Sequence, residues 1–302
     1  VRVIFAGSPA PAVPVLRALV DSPHEVVLVV TREDRPRGRS RTPVPTPVGE
    51  AAAEMGIPVL KPASINAPQS LDALRAADAG VLAVAAYGQI LREDVLAGWP
   101  CINVHYSLLP AYRGAAPVER ALMDTAEVTG VTIMQMDAGL DTGPIIEAVP
   151  VGIGADDDAG SMLMRLAEAS GPPLIRALDA VDAGELSSVP QPDQGASVAA
   201  KITDADRPID PSRSAGDLAG QVRALSPHIG AVLRIDGAPF KIWRVRVLPD
   251  PVPPGLTADA GSLVLGTATT GLEILELQPP GKGRMAADVF MRGYRGGLTL
   301  TP

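Results

Sequence analysis

A single cysteine, Cys101, stands in 302 residues, which excludes an internal disulfide and fits a reducing compartment. Histidine is almost as scarce, and His24, His105 and His228 are too far apart to give a zinc-ligand spacing. Aromatic residues make up only 3%, so the core is predicted to be built from Ala, Val, Leu and Ile. No apolar run reaches the length that spans a bilayer, and an apolar strand begins at the first residue. A cytoplasmic enzyme without a leader is therefore expected. The turn after that strand, Gly7-Ser8-Pro9-Ala10-Pro11, lacks the glycine spacing of dinucleotide-binding folds, and no phosphate-cradling G-x-x-x-x-G-K-[ST] occurs. The expected chemistry uses no nicotinamide, no ATP and no metal.

Apolar residues, in contrast, are plentiful at 46% against 20% charged, the balance of a chain that buries a sizeable core. The net charge of −8 is uneven, −10 over residues 1–200 and +2 over 201–302. Such a chain is no general polyanion binder, so an RNA partner has to be met by local patches. One patch is plain. Arg32, Arg35, Arg37, Arg39 and Arg41 are opposed only by Glu33 and Asp34.

In the first half, apolar runs at 1–6, 25–31, 57–60, 80–86 and 102–105 alternate with helical patterns near 11–20, 47–55, 69–76 and 93–97. Strands apolar on both faces and separated by helices predict a doubly wound, mostly parallel Rossmann-like α/β sheet. A helix at 117–125, strands at 130–136 and 144–150, and a long helix at 159–183 with a kink at Gly171-Pro172-Pro173 complete it. The polar stretch GELSSVPQPDQG at 184–195 has no apolar period and reads as a linker. Beyond it a helix at 217–225 and short strands at 231–235, 240–247, 262–265 and 272–277 suggest a small OB-type β-barrel. The expected domains are thus 1–183 (catalytic), 184–205 (linker) and 206–302 (OB-like, RNA-binding).

The segment CINVHYSLLPAYRGAAP at 101–117 carries the most chemistry. Asn103 and His105, at i and i+2 on a strand, point to one face. Ligands of open α/β sheets bind at the carboxyl ends of the strands. An amide donor and an imidazole there suit acyl transfer, one meeting a developing oxyanion and the other managing a proton. Asp137 and Asp141 lie in the glycine-punctuated loop MDAGLDTG at 136–143, where a carboxylate can be set against a histidine. The same residues also serve as ordinary caps and turns.

The stretches NVHYSLLPAYRGAAP and GVTIMQMDAGLDTGPII resemble the formyltetrahydrofolate-dependent formyltransferases. Within them, VRVIFAGSPAPAVP at the start, TREDRPRGRSRTPVPTPV at 31–48 and LELQPPGKGRMAA at 275–287 resemble the branch whose acceptor is methionyl-tRNA. The likeness runs in order to about Arg292. It implies 10-formyltetrahydrofolate as donor co-substrate, initiator methionyl-tRNA as acceptor, and Asn103, His105 and Asp141 as the catalytic trio. It further implies a folate site lined by Ser107, Leu108, Leu109 and Pro110, with the pterin read by the loops of Tyr87, Gly88, Gln89 and Ile90 and of Asp137. Arg35, Arg37, Arg39, Arg41, Lys201, Lys282 and Arg284 are the residues expected to face tRNA. Glycinamide ribonucleotide and amino-sugar nucleotides are rival acceptors within the superfamily, hydrolysis of the folate is a rival reaction, and a non-catalytic RNA-binding module is the rival outside it.

The chain departs from that pattern at Pro11, where an aromatic residue is usual, at Tyr106, where a smaller one is, at Tyr112 in place of Trp, and at Ser226-Pro227-His228-Ile229. Cys101 is expected to be a buried thiol without a role, and His24 and His228 to be surface or turn residues.

Overall fold

The computed structural model describes residues 1–36, 42–259 and 261–301. By packing, the chain divides into two compact units that do not follow chain order. The first comprises Val1–Gly114, Val128–Gly152 and Leu163–Val198, the second Ala115–Glu127, Ile153–Met162 and Ala199–Pro302. Residues 184–198, expected within a linker, thus lie in the first unit. Residues 115–127 and 153–162, expected in the catalytic domain, lie in the second.

The first unit is built on β1 (Arg2–Gly7), β2 (Glu25–Val30), β3 (Val59–Leu60), β4 (Val81–Ala85), β5 (Cys101–His105), β6 (Val128–Gln135) and β7 (Ile145–Gly152). Their order across the sheet is β7-β6-β5-β4-β1-β2-β3. The five strands from β5 to β3 run parallel, while β6 is antiparallel to both β5 and β7. The helices are α1 (Ala12–Val20), α2 (Pro47–Glu54), α3 (Pro68–Ala76) and α4 (Glu93–Gly98). Alternate residues of a strand face opposite ways. Ile4, Ala6, Leu82, Val84 and Cys101 accordingly join Leu71 and Leu74 of α3 and Val95 of α4 in one apolar core. Such central strands, apolar on both faces, are what the continuous Val/Leu/Ala runs encoded.

Two expectations are corrected. The helix over 159–183 is two helices, α6 (Ala159–Ala169) and α7 (Gly171–Ala183), meeting at Ser170. Pro172 and Pro173 have no N–H to continue the helical ladder, so α7 begins there with both prolines in its first turn, where no ladder donor is needed. His24, expected at the surface or in a turn, stands in the turn before β2 but is buried, with its Nε2 3.3 Å from the Asp179 carboxylate.

The second unit contains a helix from the middle of the chain, α5 (Pro117–Met123), and one from its last third, α8 (Ala215–Leu225). They pack together. Gly220 permits the close approach, since a side chain there would strike the carbonyl of Leu122. Arg120 fastens the pair to the chain ahead of α8 by a two-pronged bridge to Asp206 at 2.6 and 3.1 Å. Against α8 lies an antiparallel sheet of β8 (Ala231–Ile235), β9 (Ala238–Val247), β10 (Gly255–Asp259), β11 (Ser262–Gly266), β12 (Gly271–Gln278) and β13 (Met285–Ala286). The order is β8-β9-β12-β11-β10, with β13 on β12, and α9 (Ala287–Gly293) follows. Four of these strands, β8, β9, β11 and β12, stand at the expected positions. β10 and β13 were not anticipated, being short and set among glycine and proline. No helix of the described residues is long and apolar enough to cross a membrane.

Candidate active site

β5 is flanked by β4 and β6, and every one of its residues is buried. Cys101 opens it as a core thiol, pushed up to about 12 by burial and hydrogen-bonded to the carbonyl of Trp99. Two and four residues on, the same face carries Asn103 and His105, only 8% and 5% exposed. An amide and an imidazole so enclosed act in a medium where hydrogen bonds are stronger than in water.

Each ring nitrogen of His105 faces an oxygen. Nε2 donates to the carbonyl of Tyr112 at 2.9 Å, so that nitrogen carries hydrogen. Nδ1 lies 3.7 Å from Asp141 Oδ2. A second proton on Nδ1 would be met by that carboxylate, so the imidazolium suits both neighbours. Asp141 reaches this place by an indirect route. Because β6 runs antiparallel, its end lies beside Cys101, with Met136 N–H on the Cys101 carbonyl at 2.8 Å. The loop that follows brings Asp141 back to His105, and Gly114 N–H holds its carboxylate at 2.8 Å. Asp141 takes a left-handed φ of 52°, and Tyr112 one of 60°. Non-glycine residues hold such backbones only where the surroundings impose them.

The residues expected around a donor fall into two groups. Ser107 has no exposed surface, and its hydroxyl donates to the Ala111 carbonyl at 2.6 Å. Leu108 lies over Gly130, where a side chain would collide with it, and Leu109 N–H donates to Thr132 at 3.1 Å. The Ser107–Pro110 turn is therefore tied down by the protein itself. The second group is open. Ile90 is 81% exposed and Leu140 61%, large apolar side chains of the kind that a bound ring system covers. Gly88 has a φ of 79°, with the Arg32 guanidinium 3.6 Å from where a side chain would stand. Gln89 holds Ile65 N–H at 2.9 Å, and Asp137 accepts from Gly139 N–H and Thr142, so both side chains shape their own loops. Tyr87 is buried with its hydroxyl pushed up to about 12 by desolvation. Backbone edges and apolar side chains fit a flat heterocycle that presents alternating donors and acceptors. Among the described residues no group of His, Cys, Asp and Glu could hold a metal ion.

Of the residues expected on RNA, Arg35 is exposed in a two-residue strand paired with Pro43–Val44, and Arg37, Arg39 and Arg41 lie outside the described residues. In the second unit Lys201 and Lys282 are exposed. Arg284 is already engaged: its guanidinium lies 3.4 Å from the ring centroid of Trp243 and donates to the Pro227 carbonyl. The functional groups that no reading of residue types could find are the Tyr112 carbonyl and the Gly114 amide, because backbone groups have no letter of their own.

Residues 1–178 match the formyl transferase family and residues 201–295 its C-terminal domain. The chain belongs to the formyl transferase family. A methionyl-tRNA formyltransferase of Thermobifida fusca is 43% identical over 301 residues, covering 97% of this chain and 96% of that protein. One from Acidothermus cellulolyticus is 41% identical over 318 residues and 97% of each chain. Within the family, it is to the methionyl-tRNA formyltransferases that the chain belongs. A crystal structure of WlaRD, a sugar 3N-formyl transferase in the presence of dTDP and 5-N-formyl-THF, superposes with a TM-score of 0.67 at 16% identity over 94% of this chain and 99% of that one. That likeness is one of fold.

Proposed function

We propose that the chain transfers the formyl group of 10-formyltetrahydrofolate to the free amino group of initiator methionyl-tRNA. The observation that carries this reading is the end-to-end likeness to methionyl-tRNA formyltransferases, joined to an amide and an imidazole on one buried strand with a loop carboxylate 3.7 Å from the imidazole. Asn103, His105 and Asp141 are the catalytic residues. The Asn103 amide donates to the formyl oxygen as negative charge gathers there. His105, fixed by the Tyr112 carbonyl and Asp141, holds or moves a proton at the reacting amine. Asp141 stabilises the charged ring and keeps its orientation.

The donor is held by the backbone of Tyr87, Gly88, Gln89 and Ile90 and of the loop from Asp137 to Asp141, with Ser107, Leu108, Leu109 and Pro110 shaping the wall. Arg35, Arg37, Arg39 and Arg41 meet tRNA phosphates, as do Lys201 and Lys282 on the second unit, whose sheet is read as OB-type. The proposed functional division is a catalytic part, 1–183, and an RNA-binding part, 206–302, joined by 184–205, in a protein that works in the cytoplasm.

The test is incubation with 10-formyltetrahydrofolate and charged initiator tRNA. Tetrahydrofolate should appear in step with N-formylmethionyl ester over many turnovers. Release without formylated tRNA, or transfer to glycinamide ribonucleotide or an amino-sugar nucleotide instead, would overturn the reading.

A further inference from the structure

We propose that Gln191, braced by Arg113, is a positioning residue that holds Asp141 against His105; this rests on the assignment of Asp141 to the catalytic trio. The Gln191 Nε2 donates to two carbonyl oxygens of the loop, those of Asp141 and Gly143, both at 2.8 Å. Its Oε1 accepts from Arg113 Nε at 2.9 Å and Nη2 at 2.7 Å. Both amide hydrogens and the carbonyl oxygen are thus in use, and the side chain has no freedom to swing away.

The stretch that carries Gln191 is itself anchored. Val189 exchanges two backbone hydrogen bonds with Ile145, each 2.8 Å. Ser197 accepts from Tyr112 N–H through its hydroxyl at 2.8 Å and from Arg113 N–H through its carbonyl at 2.9 Å. The polar, proline-containing segment is therefore a strap over the loop that bears Asp141.

Asp141 needs such a strap. A left-handed backbone costs an aspartate less than most residues, but it fixes the direction of the side chain only where the neighbouring peptide groups are held. Three successive residues divide the task. The Tyr112 carbonyl takes His105, the Arg113 side chain takes Gln191, and the Gly114 amide takes the Asp141 carboxylate. Gln191 closes this set by fixing the Asp141 peptide. Its effect on kcat passes through that residue.

The experiment measures kcat and both KM values for the full chain carrying Gln191→Ala, Gln191→Glu, Asp141→Asn, or Gln191→Ala with Asp141→Asn. Glutamate keeps the length and the Arg113 partner but presents oxygen, not N–H, to the two carbonyls. Displacement of a reacting group by about 1 Å can lower a rate on the order of 100-fold, so each Gln191 variant should lose roughly 10- to 100-fold in kcat. KM for tRNA should hold, while KM for the donor rises, because the loop that Gln191 ties also lines the proposed donor site. The double variant should be no slower than Asp141→Asn alone, because one removes what the other positions. Should Gln191→Ala fail to fold, Gln191→Glu decides by itself. Wild-type kcat in the Gln191 variants alongside an impaired Asp141→Asn overturns the positioning role and leaves the trio standing. Losses that multiply in the double variant overturn it as well, since Gln191 then acts by another route. Wild-type kcat in Asp141→Asn instead refutes the trio.

Discussion

Tyr106 donates its phenolic hydrogen to the carbonyl oxygen of Pro11, 3.1 Å away and 95 residues distant along the chain. Both positions depart from the pattern of the family that the sequence resembles, one by gaining a ring and the other by losing one. In this chain the two positions are joined by that hydrogen bond. The ring stands next to His105 in sequence and is only 5% exposed, and burial raises its hydroxyl well above the ordinary phenol range. A buried hydroxyl requires a partner, and Pro11, which has no N–H, still offers its carbonyl. Tyr106→Phe should cost about 1 kcal/mol, and Tyr106→Ala about 3–5 kcal/mol through the cavity as well. Urea unfolding of the two variants checks the order. Equal midpoints for wild type and Tyr106→Phe would mean that the hydrogen bond contributes nothing.

The trio makes a sharper claim. Asn103→Ala removes a preorganised donor and should lower kcat on the order of 100-fold or more, with both KM values nearly unchanged. Asp141→Asn keeps the shape and removes the charge beside His105, and a loss of similar order is expected. Near wild-type kcat at saturating substrates in either variant removes that residue from the mechanism.

How far such a site could be read from residues alone depends on what a letter encodes. The placement of Asn103 and His105 on one strand face was legible because an amide and an imidazole two apart on an apolar strand are chemically conspicuous. A kink at Gly171-Pro172-Pro173 was legible because the prolines cannot donate, but the full break into two helices at Ser170 was not. The route of Asp141 back to His105 was not, since it follows from β6 running antiparallel, a property of pairing rather than of composition. Gln191 was hidden for a different reason: a polar stretch without apolar period looks the same whether it spans solvent or straps a loop. Arg284 was read as facing tRNA, and its stacking on Trp243 could not be read, because the two lie far apart along the chain and only folding brings them together.

The pair Arg120 and Asp206 carries a pH dependence whose sign is fixed. A side-chain hydrogen bond from Arg120, above all, holds the Asp206 carboxyl down to about 2, against an ordinary value near 4 in an unfolded chain. The charged form is favoured by folding, so the contribution is full above pH ~4 and is lost as pH falls towards 2. Melting curves of wild type and Asp206→Asn should therefore converge between those values. Parallel curves throughout would show that the bridge adds no acid-sensitive stability.

The basic residues are expected to separate into those that steer and those that build. Replacing Arg37, Arg39 and Arg41 together by Ala should make the log K against log[salt] slope for methionyl-tRNA shallower by roughly 2 to 3 units, about 0.7 to 0.9 for each lost phosphate. KM for tRNA should rise while KM for the formyl donor holds. Arg284→Ala should behave differently, lowering stability by the loss of its contact with Trp243 and leaving the salt slope unchanged. An unchanged slope in the triple variant, or a reduced one in Arg284→Ala, assigns the phosphates to the other residue set.

The packing of α5 on α8 also orders events during synthesis. About 90 residues separate the two helices, so α5 leaves the ribosome well before its partner has been made. At roughly 5–20 residues per second, its apolar face waits several seconds. Over that interval β6 and β7 are being completed immediately behind it in the first unit. Nascent chains released before residue 225 should therefore expose the face of Val118, Ala121 and Leu122, all buried in the finished molecule, to chaperones or to one another. A protease-sensitive site at α5 in chains truncated near residue 200, absent from the complete protein, is the signature of that waiting period.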